Sequence, residues 1–429
     1  MSDLVPDGWE KKQLSQVCDV IGGGTPERSN MSYWGGDIPW LSPTEVTSLK
    51  TRYISETKES ITNIGLHKSS AKLLPAGTLL MTSRASIGYV AINTIPLATN
   101  QGFQSLQCHN SMFNEFLYQS ITWMRPELER LSAGSTFSEI SSKNVKTVKI
   151  IVPPLPEQQK IAAILSSVDE VIEKTQAQIN KLKDLKTGMM QELLSPREGQ
   201  ATNINNPQGE SKNSLHHTEF KDSPLGRIPV GWEVAKFKDV FVDYKYGPRF
   251  SSKDYSPNGN VKTIRGTDVS NNGEVHYQQV PTAQIDADTV EAHKLKDGDL
   301  VMITTADCGA SAVFREQNIP YIASAYAIKL TPTNKVIPAY IKFFMQTSNA
   351  MTQIESFIRK GTVANLPGSD VMNIELALPP IKSQEKISSI LNALEDKIEL
   401  IIKKNTQLKH TKKALMQDLL TGKVRVKVD

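Results

Sequence analysis

Pro153-Pro154-Leu155-Pro156-Glu157-Gln158-Gln159-Lys160-Ile161 recurs as Pro379-Pro380-Ile381-Lys382-Ser383-Gln384-Glu385-Lys386-Ile387, and the match runs on without a gap. Ile164-Leu165 aligns with Ile390-Leu391, Ile172-Glu173 with Ile398-Glu399, and Met190-Gln191-Glu192-Leu193-Leu194 with Met416-Gln417-Asp418-Leu419-Leu420. Roughly sixteen of about forty-three aligned positions are identical, far above chance for a chain compared with itself. Both segments read as long helices. In the first, Ile161, Leu165, Val168, Ile172, Thr175, Ile179, Leu182, Met189 and Leu193 follow alternating three- and four-residue steps, a heptad seam that skips Lys186. The second repeats it with Ile387, Leu391, Leu394, Ile398, Ile401, Asn405, Leu408, Leu415 and Leu419, and Lys412 stands where Lys186 does.

Pro156 suits a first helical position and Ser383 an N-cap, while Pro196 and Gly422 align as stops. Each helix then has about 38 residues and a length near 57 Å. A lone helix of that length would expose its seam, so the two are expected to pack antiparallel about a pseudo-twofold axis, with the globular parts at opposite ends. Asn405 is either a polar register device in the seam or a solvated or locally satisfied side chain. A plain oligomerisation coiled coil is the rival reading of both helices, but self-association needs no fused globular partner.

Upstream of each helix the likeness is thinner and in the same order. Pro6-Asp7-Gly8-Trp9-Glu10 returns as Pro229-Val230-Gly231-Trp232-Glu233, and Leu74-Pro75-Ala76-Gly77-Thr78-Leu79-Leu80-Met81 as Leu295-Lys296-Asp297-Gly298-Asp299-Leu300-Val301-Met302. The chain is therefore a tandem duplication: a first globular domain (1–152), a first helix (153–198), a polar linker (199–222), a second globular domain (223–378) and a second helix (379–429). Short β-type runs at Thr78 to Thr82, Tyr89 to Ile92, Val145 to Val152, Leu300 to Thr304, Ala325 to Leu330 and Asn373 to Leu378, with helical stretches at Phe113 to Met124 and Ile337 to Phe357, predict a mixed α/β (α+β) fold.

The 429 residues carry 39% hydrophobic and 22% charged residues, enough apolar material for two or three domains. No apolar run is long enough to span a membrane and the N-terminus lacks a signal-peptide layout, so a soluble, cytoplasmic protein is expected. Three cysteines, Cys18, Cys108 and Cys308, suggest reduced thiols instead of disulfides or a zinc site. The net charge of +4 permits a polyanionic partner without demanding one.

The copies agree at apolar and turn positions and disagree in loops. Gly22-Gly23-Gly24-Thr25 through Trp40 has no likeness to Tyr244 through Ser252, and Thr82-Ser83-Arg84-Ala85-Ser86-Ile87-Gly88 faces Thr304-Thr305-Ala306-Asp307-Cys308-Gly309-Ala310. One scaffold with two unlike recognition surfaces fits this pattern, and the loop residues are types that donate to phosphates and read base edges. The candidate DNA contacts are Thr25, Arg28, Tyr33, Trp34, Trp40, Ser83, Arg84, Asn100 and Gln101 in the first domain, and Tyr246, Arg249, Arg265, Thr304, Thr305, Ser324 and Tyr326 in the second. Trp34 and Trp40 are divided between loop packing and a nucleic-acid contact, whereas Trp9 and Trp232 read as core anchors. The triple glycine lacks the ending of a P-loop. His216-His217 lacks a third metal ligand at useful spacing. No nucleophile-and-base constellation, Walker motif or Asn/Asp-Pro-Pro-Tyr/Phe segment is present, so no catalytic residue and no metal site are expected.

The doubled Pro-x-Gly-Trp-Glu opening, the phrase Lys221-Asp222-Ser223-Pro224-Leu225-Gly226-Arg227-Ile228-Pro229 and the Pro-Pro-Leu-Pro-Glu-Gln-Gln-Lys-Ile-Ala lead into a helix ending Gln-Glu-Leu-Leu resemble the specificity subunits of type I restriction-modification systems. The second copy departs at Lys382-Ser383 but keeps Gln384, Lys386 and Ile387. The resemblance implies two target-recognition domains, each binding half of a bipartite asymmetric DNA site, and antiparallel helices that set the gap and dock two modification (methyltransferase) subunits. It also implies that S-adenosylmethionine, ATP and Mg serve the modification and restriction subunits, with no cofactor on this chain. A stand-alone methyltransferase or nuclease, or a non-specific coiled-coil scaffold, remains the alternative.

Overall fold

The strand Leu79–Thr82 and its counterpart Leu300–Ile303 are buried on both faces, which is why each reads as a continuous apolar run. Each is a central strand of an antiparallel sheet. In the first copy the order is Cys18–Gly22, Phe103–Cys108, Leu79–Thr82, Val90–Asn93 and Tyr53–Ile54, with only the last pairing parallel. In the second it is Phe241–Tyr246, Ala327–Pro332, Leu300–Ile303 and Ser311–Val313, all antiparallel. The turn entering each central strand holds a glycine in the left-handed region, Gly77 at φ 88° and Gly298 at φ 85°, a conformation other side chains rarely adopt.

The computed structural model describes residues 5–49, 51–132, 139–194, 219–270 and 272–428. The expected stop at Pro196, the paired histidines and most of the linker lie outside the described residues. At its end, Phe220–Lys221 already forms a strand against Ile228–Pro229.

Two compact units make up the chain, 1–179 with 401–429 and 180–400. Both have the same plan. A three-stranded sheet, its strands interleaved along the chain with those of the central one, comprises Glu59–Ile61, Trp34–Leu41 and Ala98–Thr99 in one unit and Thr282–Ala283, Val261–Ile264 and Tyr321–Ala323 in the other, with its second pairing parallel in each. A two-stranded ladder leads each copy into its helix: Glu10–Gln13 with Lys149–Val152, and Glu233–Lys236 with Glu375–Leu378.

The helices span Leu155–Leu194 and Ile381–Leu420, 40 residues each. They begin earlier than the sequence suggests. Pro156 is thus the second helical residue, and Ser383 lies inside the first turn instead of capping it; its amide already bonds to Pro380 O at 2.8 Å. A buried glutamine anchors each start. Gln158 Nε2 donates to Pro153 O and Ser111 O at 2.9 and 3.0 Å while its Oε1 accepts from Phe113 N at 2.8 Å. Gln384 repeats all three bonds with Pro379 O, Lys335 O and Ile337 N at 2.9, 3.0 and 2.9 Å. These bonds tie the helix to the globular part and explain why the second copy keeps this glutamine while losing its neighbours.

Within each unit the helix segments run antiparallel. In the first, Ile161, Ala162 and Leu165 share a buried cluster with Met416, Leu419, Leu420 and Trp9. Asn405 Nδ2 donates to Gln176 Oε1 at 3.0 Å, so the seam asparagine is bonded across helices instead of solvated. In the second, Met190, Leu193 and Leu194 cluster with Ile387, Leu391 and Trp232. Ile179, Leu394, Ile398 and Ile401 are buried; Val168, Ile172, Leu182 and Leu408 are partly so. Each repeated tryptophan is therefore a core anchor under the end of the other copy's helix.

Three expected elements differ. Val145 to Thr147 belongs to a helix, Ser142–Thr147, capped by Ser141 Oγ on Asn144 N, and the strand starts only at Lys149. The helix expected over Ile337 to Phe357 is two, Pro338–Phe344 and Ser348–Phe357, because Thr347 takes an extended conformation and caps the second through Ala350 N. The helix expected from Phe113 extends to Ser132, running through Pro126.

Candidate nucleic-acid interface

In each unit three neighbouring strands of the central sheet finish at one end. Gly22 pairs with Gln104, and Thr82 with Phe103, so the loops after Cys18–Gly22 and Leu79–Thr82 emerge beside the loop that enters Phe103–Cys108. Tyr246 pairs with Ile328 and Ile303 with Ala327, which repeats the arrangement. Most sequence-picked residues converge there.

A glycine fixes the approach of the first loop in both copies. A Cβ on Gly23 would lie 1.9 Å from Asn100 O, and one on Gly247 would lie 2.0 Å from Ala323 O, so only glycine fits either place. The amides of Gly23 and Gly247 donate to Phe103 O and Ala327 O at 3.4 and 3.1 Å. The triple glycine thus serves chain packing, and the first loops share an anchor that sequence comparison does not reveal.

Beyond Gly23, Thr25 bonds to Gln101 through their side chains. Arg28 pairs with Glu59 and stacks over Trp34, its guanidinium carbon 4.0 Å from the ring centroid. The Glu59 hydrogen bond raises the Arg28 pKa and lowers that of Glu59, so both stay charged at neutral pH. Trp34 meets Trp40 edge-on at 5.1 Å and donates to Glu27 O at 3.1 Å. Trp40 itself is fully buried and donates to Gly24 O at 2.9 Å, which removes it from the contact set; it holds the loop. Tyr33 is half-buried beside the pair. Asn100 Oδ1 accepts from Gly102 N at 2.7 Å, shaping the entry to the next strand.

In the second unit Arg249 is exposed and Tyr326 is 65% exposed. Tyr246 Oη accepts from Gly368 N at 2.9 Å. Arg265 makes a two-pronged bond to buried Asp268, Nε to Oδ2 and Nη2 to Oδ1, both 3.0 Å. Ser83, Thr304 and Ser324 are buried, so they too leave the contact set. Backbone geometry explains why: Ser83 N and Thr304 N donate to Gly102 O and Tyr326 O at 2.8 and 2.9 Å, continuing the ladder one residue past the strand.

The structure adds Ser42, which sequence comparison missed. Asn100 N donates to Leu41 O at 3.0 Å and Ser324 N to Ile264 O at 2.9 Å, placing Ser42 where the second copy has Arg265. Glu45 Oε2 accepts from Ser42 N as Asp268 Oδ2 accepts from Arg265 N. The acid three residues on is the available signal, since both read as a capping box. Among the described residues no group of His, Cys, Asp and Glu could hold a metal ion, and no helix is long and apolar enough to cross a membrane.

Two copies of one scaffold presenting unlike side chains at the same sheet end define a two-headed recognition protein. The chain belongs to the type I restriction modification DNA specificity domain family, whose model matches residues 6–184 and 229–410. It is a DNA sequence-specificity subunit of a type I restriction-modification system, a non-catalytic component. It is 28% identical over 435 residues to the MjaIX type I restriction enzyme specificity subunit of Methanocaldococcus jannaschii, covering 98% of this chain and 95% of that one. It is 22% identical over 403 residues to the EcoKI specificity subunit of Escherichia coli K12, covering 89% and 81%. Its fold matches the crystal structure of the type I restriction-modification S subunit from M. genitalium, with a TM-score of 0.56 at 16% identity over 98% of this chain and 97% of that one.

Proposed function

We propose that each unit reads one half of a bipartite, asymmetric DNA site through the loops at the end of its central sheet, using the globular domains 1–152 and 223–378. The observation that carries this reading is the shared backbone with unlike side chains: exposed Arg28, Arg84 and Gln101 in one unit, exposed Arg249 and Tyr326 with half-buried Thr305 in the other. A protein reading one sequence twice would repeat its side chains as well as its loops.

The long helices set the non-specific gap between the half-sites and dock two modification subunits. Through these the complex gains restriction subunits, and S-adenosylmethionine, ATP and Mg are bound by those partners. The protein works in the cytoplasm, where its DNA is. Expression with its modification partners, followed by single-molecule sequencing of host DNA, is expected to reveal an interrupted methyl-adenine motif that vanishes when this chain is deleted. Methyl transfer by the purified chain alone would reverse the reading.

A further inference from the structure

Among the described residues only two besides glycine sit at positive φ, Ala85 at 56° and Ala306 at 64°. They occupy the same place. Thr82 N donates to Tyr89 O and Gly88 N to Thr82 O at 2.8 and 2.9 Å; Ile303 N donates to Ala310 O and Gly309 N to Ile303 O, both at 2.8 Å. The loops that looked unlike in sequence are therefore one backbone, once Thr82 is matched to Ile303 instead of Thr304. Left-handed alanine stores strain, and a fold that keeps it twice holds the loop in one shape for use.

The residue before each alanine is bridged to a distant segment. Arg84 pairs antiparallel with Glu139 and Thr305 with Asn365, and the next amides, Ile140 N and Leu366 N, donate to Ser83 O and Thr304 O at 3.0 and 2.8 Å. So positions 84 and 139 in one unit, and 305 and 365 in the other, form the same side-by-side couple, with Arg84 and Asn365 exposed and Glu139 and Thr305 half-buried. Their chemistry differs. Arg84 Nε lies 2.9 Å from Glu139 Oε1, with the side chains 47% and 37% exposed. Asn365 is exposed, and among the described residues its side-chain amide has no hydrogen-bond partner.

A carboxylate beside an arginine is poorly suited to a phosphate, which it repels, but it suits a base edge. Arginine forks onto guanine O6 and N7 while a carboxylate accepts from cytosine N4. Asparagine pairs with adenine N6 and N7, and the threonine methyl packs against the thymine methyl. Resting on the reading that these sheet ends face DNA, we propose that the two couples are equivalent base-reading positions. Arg84 with Glu139 reads a G·C pair in one half-site, and Thr305 with Asn365 reads an A·T pair in the other.

The test is the Arg84→Thr/Glu139→Asn double variant, expressed with its modification partners, with the methyl-adenine motif read by single-molecule sequencing. One G·C pair in one half-site is expected to become A·T or lose discrimination, with the other half-site unchanged. The reverse variant, Thr305→Arg/Asn365→Glu, moves one A·T pair of the other half-site. If the double variant abolishes methylation, Arg84→Lys keeps the charge and the bridge but not the fork, and purified complex on duplexes varied one pair at a time should prefer that G·C about tenfold less. No drop there, or an unchanged motif in the double variant, overturns the assignment alone. A wild-type complex that leaves no interrupted motif overturns the underlying reading and the assignment with it.

Discussion

Lys186 Nζ lies 2.5 Å from Glu395 Oε1, joining the two long helices within the second unit, and Lys412 Nζ lies 2.6 Å from Asp169 Oδ1 in the first. The lysines that interrupt the apolar seam are therefore not defects in it. Each meets the acid of the facing helix, and each acid also reaches the globular part: Glu395 through Lys342 at 2.6 Å, Asp169 through Gln119 at 2.8 Å.

Removing Glu395 leaves Lys186 and Lys342 largely buried without their shared partner. Glu395→Ala is expected to cost about 3 kcal/mol, since Lys186 is left a buried charge without its acid, the expensive case, while Lys342 keeps Glu274 at 2.9 Å. Chemical denaturation of the variant checks it. Burial disfavours the Lys342 ammonium, but its hydrogen bonds to Glu395 and Glu274 outweigh that and leave its pKa raised. A raised lysine stabilises the fold below its unfolded value, about 10.4, and that contribution is lost as pH climbs through the folded value. The wild type should accordingly lose stability above pH ~10.4 more steeply than Glu395→Ala.

Gln158 and Gln384 each satisfy three backbone groups from a buried position. Replacing either by Leu strands two carbonyls and an amide, at about 2–4 kcal/mol in total. Because each glutamine serves its own unit, the two costs should add in the double variant, as read by denaturant midpoints. A strongly non-additive result would mean that the two anchors are coupled.

Arg28→Ala and Arg249→Ala are expected to act on different half-sites. Each should weaken binding of the complex to duplexes altered in the other half-site as much as to the intact site, because its own half-site carries the loss. If either arginine meets a phosphate instead of a base, its variant lowers the salt slope by about one without changing sequence preference. Equal loss of discrimination at both half-sites from one substitution would sink the two-headed reading.

Cys18 and Cys108 face each other across the antiparallel ladder. Burial pushes both thiols up to about 12, with Cys108 and Asp19 adding to the effect on Cys18. The thiolate is the nucleophile, and at pH 8 its fraction is then about one in ten thousand. Iodoacetamide should therefore label neither in the native protein, and both once it is unfolded, as followed by mass spectrometry. Prompt native labelling of Cys18 would contradict its buried position.

Much of this architecture is legible in the amino-acid order. The heptad seam marks its own buried face because helical period is local, and the central strands announce themselves through unbroken apolar runs. The recognition loops are less so. Residue type drew Trp40, Ser83, Thr304 and Ser324 into the contact set, and burial removes them, since nothing local distinguishes a tryptophan that holds a loop from one that presents it. Glu139 and Asn365 are invisible for the opposite reason: each acquires its place from a partner far along the chain.

The sequence by itself determined the duplication, the two helices, their seam and the family, because each is written in repeats and short periods. Only the tertiary structure decided that each unit takes helix segments from both copies, and that Ala85 and Ala306 sit in one strained loop beneath unlike side chains. Packing of a helix end under the other copy's tryptophan, and a left-handed φ held by bridges to residues 139 and 365, are long-range facts. They exist only when distant segments meet.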